Sequence, residues 1–163
     1  MSDNLLAQPL TTYSSEQLHP LGTTVKAVAQ VGGKRYENTY RYVQSGTAVA
    51  ITAGVMTQYD GTAPFSVIAG VSATNGNNMV QAGMAMVTTP ATAGIFFWVL
   101  EEGVNTLATY AAAFAYLACT AATGVLAAAT IGTQTALNVG LVFANGVAVI
   151  WPKGAAGFYP DQT

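Results

Sequence analysis

The side chains able to carry out catalysis are few, and their spacing does not assemble a catalytic group. The chain contains 7 acidic residues, 5 lysines and arginines, 1 histidine and 1 cysteine. Two carboxylates that share acid–base work must flank the same bond, whereas Glu101 and Glu102 are adjacent and, on a strand, are expected to point to opposite faces. A Ser-His-Asp or Cys-His arrangement would need His19, which lies in a segment without regular periodicity. We therefore predict no catalytic residues and no enzymatic activity.

Metal and cofactor sites are not predicted either. Cys119 is the single cysteine, so the chain has no intramolecular disulfide and no multi-cysteine metal site. The segment Gly32-Gly33-Lys34 brings glycine and lysine together, but Arg35 follows where a phosphate-binding loop has Ser or Thr. A calcium site built from Asp60 and the asparagines within 75–78 would carry one formal charge and bind weakly.

The low charge of the chain indicates a surface that is covered by neighbours. Only 7% of residues are charged, 52% are hydrophobic and the net charge is −2, whereas an ordinary soluble domain has about 25% charged residues. Exposed apolar area usually marks an interaction surface, so we favour an assembly over the alternative, a surface of Ser, Thr, Asn and Gln. Most of the basic residues lie between Lys26 and Arg41 together with Glu37. They are too few for a nucleic-acid partner.

Membrane insertion and secretion are not predicted. The N-terminus lacks the basic and apolar regions of a secretory signal. Residues 103–132 contain no charge and are long enough to span a bilayer. They consist mainly of Ala, Thr and Gly, however, and have no flanking Lys or Arg anchors. With the absence of disulfides, this pattern favours synthesis in a reducing cytosol and no membrane partner.

The chain divides into an extended N-terminal arm, residues 1–22, and a single β-rich domain, residues 23–163. The first part contains Pro9 and Pro20, several Ser and Thr, and no sustained periodicity, so we expect it to be ordered only when something binds it. From Thr24 onward, apolar and polar residues alternate with the period of a half-buried strand, up to a Gly32-Gly33 hairpin turn. The returning strand places Tyr36, Asn38, Tyr40 and Tyr42 on one face.

Further short apolar runs separated by turn residues predict additional strands. The strongest local pattern is a hairpin around Asn145-Gly146, with β-prone residues on both sides. Residues 107–130 are compatible with a short helix or with strands. The fold class is therefore mainly β, an antiparallel β-sandwich or small β-barrel with an extended N-terminal arm. The other predicted strands cover residues 47–51, 55–59, 65–71, 79–87 and 95–100.

The segment from Pro20 to Ala27, Pro-Leu-Gly-Thr-Thr-Val-Lys-Ala, resembles the start of small capsid decoration (cement) or minor head proteins of tailed bacteriophages. The resemblance extends over residues 20–151 as a pattern of apolar and glycine positions. It departs from the family at Phe97, where a small residue is usual, and at Gly103, which follows two acids. Further matching positions are Arg41-Tyr42-Val43, Gly46, Thr47-Ala48-Val49, Gly70-Val71, Phe97-Trp98-Val99-Leu100, Thr123-Gly124-Val125-Leu126 and Gly140-Leu141-Val142.

The resemblance implies a structural virion protein, made in the host cytoplasm, that binds the outside of an assembled capsid and stabilises it. Its partners would be the major capsid protein and further copies of itself, with a homotrimer favoured. Hot spots of such contacts are usually aromatic or Arg, and core packing is the alternative role for Tyr36, Tyr40 and Trp151. The candidate interface residues are Tyr13, Leu18, Leu21, Arg35, Tyr36, Tyr40 and Trp151.

Two other classes of function remain open from the sequence. One is a different virion component, such as a tail, head-fibre base or shell protein, which would share the low charge and the β pattern. The other is a β-module that binds a host surface or a carbohydrate, with Trp98 or Trp151 as a stacking platform. Trp98 lies in a fully apolar run, so we expect it to be buried.

Overall fold

The computed structural model of the chain describes residues 8–69 and 81–105 and the backbone of strands within 116–119, 126–128, 137–144 and 147–150. The fold is mainly β, as predicted, and the elements in these ranges are all strands. The strands are β1 Tyr13–Ser14, β2 Thr24–Val31, β3 Lys34–Ser45, β4 Met56–Tyr59, β5 Ser66–Ala69, β6 Gln81–Ala85, β7 Phe96–Asn105, β8 Tyr116–Cys119, β9 Leu126–Ala128, β10 Leu137–Ala144 and β11 Val147–Ile150.

Strands β3, β5, β4, β6 and β7 form a closed ring, which is the small barrel of the prediction. Each pairs with the next, and β7 pairs back with β3. The pairings are antiparallel except for β3 with β5, which is parallel, with Gln44 opposite Ser66. Closure removes the open edges that a flat sheet of these strands would have.

Beyond the ring, β7 continues into a second group of strands. Its last residues pair with β11, followed in order by β10, β8 and β9. Strands β10 and β11 form the hairpin predicted at Asn145-Gly146, with Ala144 opposite Val147. Within 107–130 the described residues form β8 and β9, so the strand alternative is confirmed for 116–119 and 126–128.

The ring buries one apolar cluster inside and a second outside. The inner cluster draws side chains from all its strands, among them Val43, Val67, Phe97 and Val99. Because side chains alternate between faces along a strand, the neighbouring residues form an outer cluster. That outer cluster contains Tyr40, Tyr42, Met56, Met84, Trp98, Leu100 and Leu10.

The outer cluster is covered by residues 8–22, the described part of the arm predicted at residues 1–22. Leu10 belongs to that cluster, Leu21 packs against it, and β1 pairs with β7 through Tyr13 opposite Phe97. Apart from β1, these residues form turns and bends, so the expectation of an extended arm is wrong for the described part of the segment. Their ordering comes from the sheet of the same chain, because the outer face of the ring is apolar and would otherwise face water.

Residues 47–51 were predicted as a strand and do not form one. Most of their side chains are small and exposed, and only Ile51 is buried, where its N–H donates to Oγ1 of Thr89 at 3.0 Å. The asparagines within 75–78 lie outside the described residues. The predicted strands at 55–59, 65–71, 79–87 and 95–100 correspond to β4, β5, β6 and β7 as far as the structure describes those ranges, which excludes residues 70–71 and 79–80.

Candidate interaction surface

Gln8 holds the N-terminal segment on the sheet. Its side chain is 2% exposed, and Nε2 donates to the carbonyl oxygens of Thr12 at 2.8 Å and Phe96 at 3.0 Å. Its Oε1 accepts from the Tyr42 hydroxyl at 2.7 Å, and its carbonyl oxygen accepts from Nε1 of Trp98 at 3.2 Å. A buried amide must satisfy its polar atoms, and this one does so by linking the segment to β3 and β7.

His19 packs at the other end of the same segment. Its ring lies 5.2 Å from that of Tyr42 and 5.3 Å from that of Trp98, and the Leu18 N–H donates to the Tyr42 hydroxyl at 3.3 Å. These contacts are with aromatic rings, and Nε2 of His19 has no hydrogen-bond partner within the described ranges. Burial raises the pKa of the Tyr42 phenol, and its hydrogen bond from Leu18 only partly opposes this. The contacts around His19 are those of a packing residue.

A bidentate ion pair joins β3 to β7. Arg41 donates from Nε to Oε1 of Glu101 at 2.7 Å and from Nη2 to Oε2 at 3.1 Å, and Nη1 donates to the Gly22 carbonyl oxygen at 3.1 Å. The hydrogen bond to Glu101 raises the pKa of Arg41 despite the burial that opposes it. The guanidinium also lies 5.7 Å from the centre of the Phe65 ring. The pair therefore fixes the entry of the N-terminal segment into β2.

Glu101 and Glu102 lie on the same face, so the expectation of opposite faces is wrong. Tyr40 is opposite Leu100 while Thr39 is opposite Glu102, so Glu101 is an extra residue in β7. Such a β-bulge interrupts the alternation of faces. Both oxygens of Glu101 accept hydrogen bonds from Arg41, so this carboxylate holds an ion pair rather than a shared proton.

Asp60 organises the loop that carries Phe65. Its Oδ1 accepts from the Thr62 N–H at 2.9 Å and hydroxyl at 2.8 Å, and its Oδ2 accepts from the Ser66 hydroxyl at 2.7 Å. Burial would raise the pKa of Asp60, but these hydrogen bonds outweigh it and lower the pKa below its ordinary value. The loop holds Phe65 at φ 57°, a conformation uncommon for a bulky residue.

The β2–β3 hairpin lies at the end of the strand order. Gly32 and Gly33 have φ values of 58° and 77°, which fit a type I′ turn, and Val31 is opposite Lys34. The predicted alternation is confirmed, because every second residue of β2 is half-buried. On the exposed face, Nζ of Lys26 donates to Oε1 of Glu37 at 2.7 Å.

The candidate interface residues fall into different environments. Tyr13 and Leu18 are 49% and 42% exposed on the N-terminal segment, and Arg35 is exposed near the hairpin turn. Leu21 and Tyr36 are half-buried, the former against the outer cluster. Tyr40 is 5% exposed and packs in the outer cluster, which is the alternative role considered for it. Trp151 lies outside the described residues.

Two exposed apolar residues escaped the sequence prediction. Val28 is 50% exposed and Val49 is 61% exposed. The exposure of Val28 was predictable from the sequence, because Val28 lies on the same polar face of β2 as Lys26 and Gln30. The exposure of Val49 was not predictable, because residues 47–51 were expected to form a strand.

The described side chains do not form a cluster of metal ligands. Within residues 8–69 and 81–104, no three His, Cys, Asp or Glu side chains are close enough together to hold a metal ion. In the same part of the chain, no helix is long and apolar enough to cross a membrane. Gln8, Arg41 and Asp60 bond to main chain or to neighbouring side chains, an arrangement that supports the fold.

No protein-family model, curated protein or solved structure matches this chain.

Proposed function

We propose that this chain is a structural virion protein that binds the outside of an assembled phage capsid and stabilises it. One observation carries the proposal: large apolar side chains are exposed on a chain with very few charges. Tyr13, Leu18, Val28 and Val49 are 42–61% exposed, and 7% of all residues are charged. Exposed apolar side chains gain free energy when a neighbour covers them.

The roles of the polar side chains support a structural function. Gln8 and Asn38 are 2% and 1% exposed, and both bind main-chain groups of strand β7. Asp60 binds side chains and main chain of its own loop. These groups hold strands and loops in place, which is a structural rather than a catalytic use of polar side chains.

The proposed partners are the major capsid protein and further copies of this chain, on the surface of the virion. Many modest contacts repeated over a shell give tight attachment, because each raises the effective concentration of the next. Nucleic acid is not among the proposed partners, since Lys26 and Arg41 are engaged by Glu37 and Glu101.

Trp98 does not favour the carbohydrate-binding alternative. Its side chain is 0% exposed, and its Nε1 donates to the carbonyl oxygen of Gln8. A stacking platform needs an open ring face, so this residue does not offer one. A different virion component, such as a tail or head-fibre protein, remains the alternative that the capsid experiment separates.

The test is binding of the purified protein to capsids that lack decoration. We expect saturable uptake, with a number of copies per capsid that is a multiple of the shell symmetry. A double variant, Tyr13→Ala with Leu18→Ala, is expected to weaken uptake by about tenfold or more, because a few interface side chains, tyrosine prominent among them, carry most of the binding energy and the leucine removes further apolar area. Ser15→Ala is the matched control, because Ser15 is exposed in the same segment. No uptake by any capsid would overturn the proposal.

A further inference from the structure

Strand β2 is a long, regular strand at the edge of the sheet. It has 8 residues, all paired with β3 without a register shift, from Thr24 opposite Arg41 to Val31 opposite Lys34. Within the part of the chain that the structure describes, no strand pairs with its other side. A strand of this kind presents a row of hydrogen-bonding groups to a partner.

The turn determines which groups face the open edge. In a two-residue type I′ hairpin the flanking residues, Val31 and Lys34, form a hydrogen-bonded pair. Hydrogen-bonded and non-hydrogen-bonded pairs alternate along an antiparallel ladder. The main-chain groups of Val25, Ala27 and Ala29 therefore also bond to β3. The N–H and C=O groups of the intervening residues therefore point away from β3. These residues are Thr24, Lys26, Val28 and Gln30.

The usual protections of an edge are weak in β2. Natural edge strands are short, bulged, covered, or marked by proline and unpaired charge. This strand has no proline and no bulge, and its one charged residue, Lys26, is engaged by Glu37 of the same chain at 2.7 Å. At its centre, Val28 is 50% exposed. Among the residues that the structure describes, the edge is therefore open to strand addition.

We propose that two copies of this chain associate through antiparallel pairing of their β2 strands, with Ala27 on the two-fold axis. In this register Lys26 lies opposite Val28 of the second copy, and Thr24 lies opposite Gln30. All the outward-pointing groups of both strands are then used, giving about eight hydrogen bonds. A shift of either strand by two residues loses some of these bonds, and one such shift places Lys26 opposite itself.

The same register joins the apolar faces of the two hairpins. Val25 and Ala27 pack against the outer cluster, whereas Ala29 and Tyr36 are half-buried and are not members of either cluster. Pairing places Ala29 opposite Val25 of the second copy. The apolar stripe would then continue across the axis, which gives the half-buried residues near the turn a neighbour.

This inference goes beyond the proposed function and does not depend on capsid binding. The resemblance in the sequence implies trimers, whereas strand addition at β2 joins copies in pairs. The mass of the particle in solution therefore separates the two arrangements.

The first test is disulfide trapping in a Cys119→Ser background. Residues opposite each other at a non-hydrogen-bonded pair are about 4.5 Å apart, close enough for a disulfide. Ala27→Cys should therefore give a covalent dimer on mild oxidation. Ala29→Cys is the matched control, because it has the same residue type, strand and face but lies opposite Val25. A dimer with Ala29→Cys and none with Ala27→Cys would overturn the register.

The second test is the solution mass of Val28→Pro and Val28→Thr, measured by sedimentation. Proline removes an N–H that points away from β3, so the hairpin itself should be kept, and circular dichroism checks this. We expect the dimer dissociation constant to rise at least about tenfold for proline, with little change for threonine. A monomeric native protein, or a dimer unaffected by proline and untrapped by Ala27→Cys, would contradict the proposal.

Discussion

The side-chain amide of Asn38 pairs with the main chain of Val104. The Val104 N–H donates to Oδ1 at 2.9 Å, and Nδ2 donates to the Val104 carbonyl oxygen at 2.8 Å. Thr39 opposite Glu102 is the last pair between β3 and β7, so the amide replaces the main-chain pairing where the strands separate. A Cβ at Gly103 would meet the Asn38 side chain. The close approach of the Asn38 side chain to β7 therefore requires glycine at position 103.

Replacing Asn38 should destabilise the fold strongly. Asn38→Ala leaves the Val104 N–H and C=O buried without these partners, and we expect the free energy of unfolding to fall by about 2–4 kcal/mol. Asn38→Asp keeps the acceptor but places a carboxylate oxygen against the carbonyl, so a loss of the same order is expected. Denaturant unfolding measures both. Gln30→Ala, at an exposed position of β2, is the control, and equal stability of Asn38→Ala and Gln30→Ala would refute the role.

Glu101→Gln and Glu102→Gln should differ sharply although the residues are adjacent. The Glu101 side chain is 9% exposed and pairs with Arg41, whereas Glu102 is exposed. Loss of one partner leaves a partly buried cation, and about 2–4 kcal/mol of stability should be lost for Glu101→Gln. Glu102→Gln should change stability by less than about 0.5 kcal/mol. Thermal unfolding at low salt compares the two, and similar losses would argue against the bulge geometry.

Gly22→Ala should lower the free energy of unfolding more than Gly61→Ala does. Both glycines have positive φ, 83° and 74°, which disfavours alanine at either position. Only Gly22 is also pressed against a neighbour, because its added Cβ would fall on the Phe65 ring, whereas Gly61 has nothing within 4 Å. We expect the free energy of unfolding, measured by denaturant titration, to fall by about 1 kcal/mol for Gly61→Ala and by about 2–4 kcal/mol for Gly22→Ala. If the two losses were equal, the contact with Phe65 would contribute nothing.

Leu10→Ala and Leu18→Ala test whether the N-terminal segment belongs to the core. Leu10 is 8% exposed within the outer cluster, whereas Leu18 is 42% exposed. Truncation of the buried leucine should lower the free energy of unfolding by about 2–4 kcal/mol, and truncation of the exposed one by less than about 1 kcal/mol. A native-like stability for Leu10→Ala would instead fit an arm that packs only on a partner.

Asp60 should make stability depend on pH in the acid range. Its pKa in the folded protein lies below the ordinary value of 3.8, so the unfolded chain binds its proton first as pH falls. The stabilisation is complete above the unfolded value and is lost as pH decreases through the folded value. Asp60→Asn should remove this part of the dependence. Unfolding free energies of both proteins between neutral and acid pH measure it, and parallel curves would show that Asp60 is not responsible.

The local β pattern could be predicted from the sequence, but the closure of the ring could not. The alternation through Thr24–Val31 and the Gly32-Gly33 turn specify a hairpin, because period and turn chemistry are local properties. The parallel pairing of β3 with β5 depends on contacts between distant parts of the chain. The bulge at Glu101 is likewise set by the partner strand.

The exposure of the candidate interface residues could be predicted only in part. Tyr13 and Leu18 were selected by residue type and are exposed, whereas Tyr40, of the same type as Tyr13, is buried. Residue type cannot separate these cases, because Tyr40 lies in the outer cluster, whose members come from distant parts of the chain. The role of Gln8 was missed for the same reason, since its partners Phe96 and Trp98 are 88 and 90 residues away.

Strand β7 pairs with β1, β3, β6 and β11, and it follows three of them in the chain. During synthesis the ribosome must therefore release β7 before residues 8–22, β3 and β6 gain their shared neighbour. Until β7 is released, the apolar residues of the outer cluster that precede it in the chain cannot be buried against Trp98 and Leu100. We expect folding to wait for this strand and to be slow, as is usual for proteins whose contacts join distant residues. A chaperone that binds nascent chains would find its target in the interval before β7 emerges.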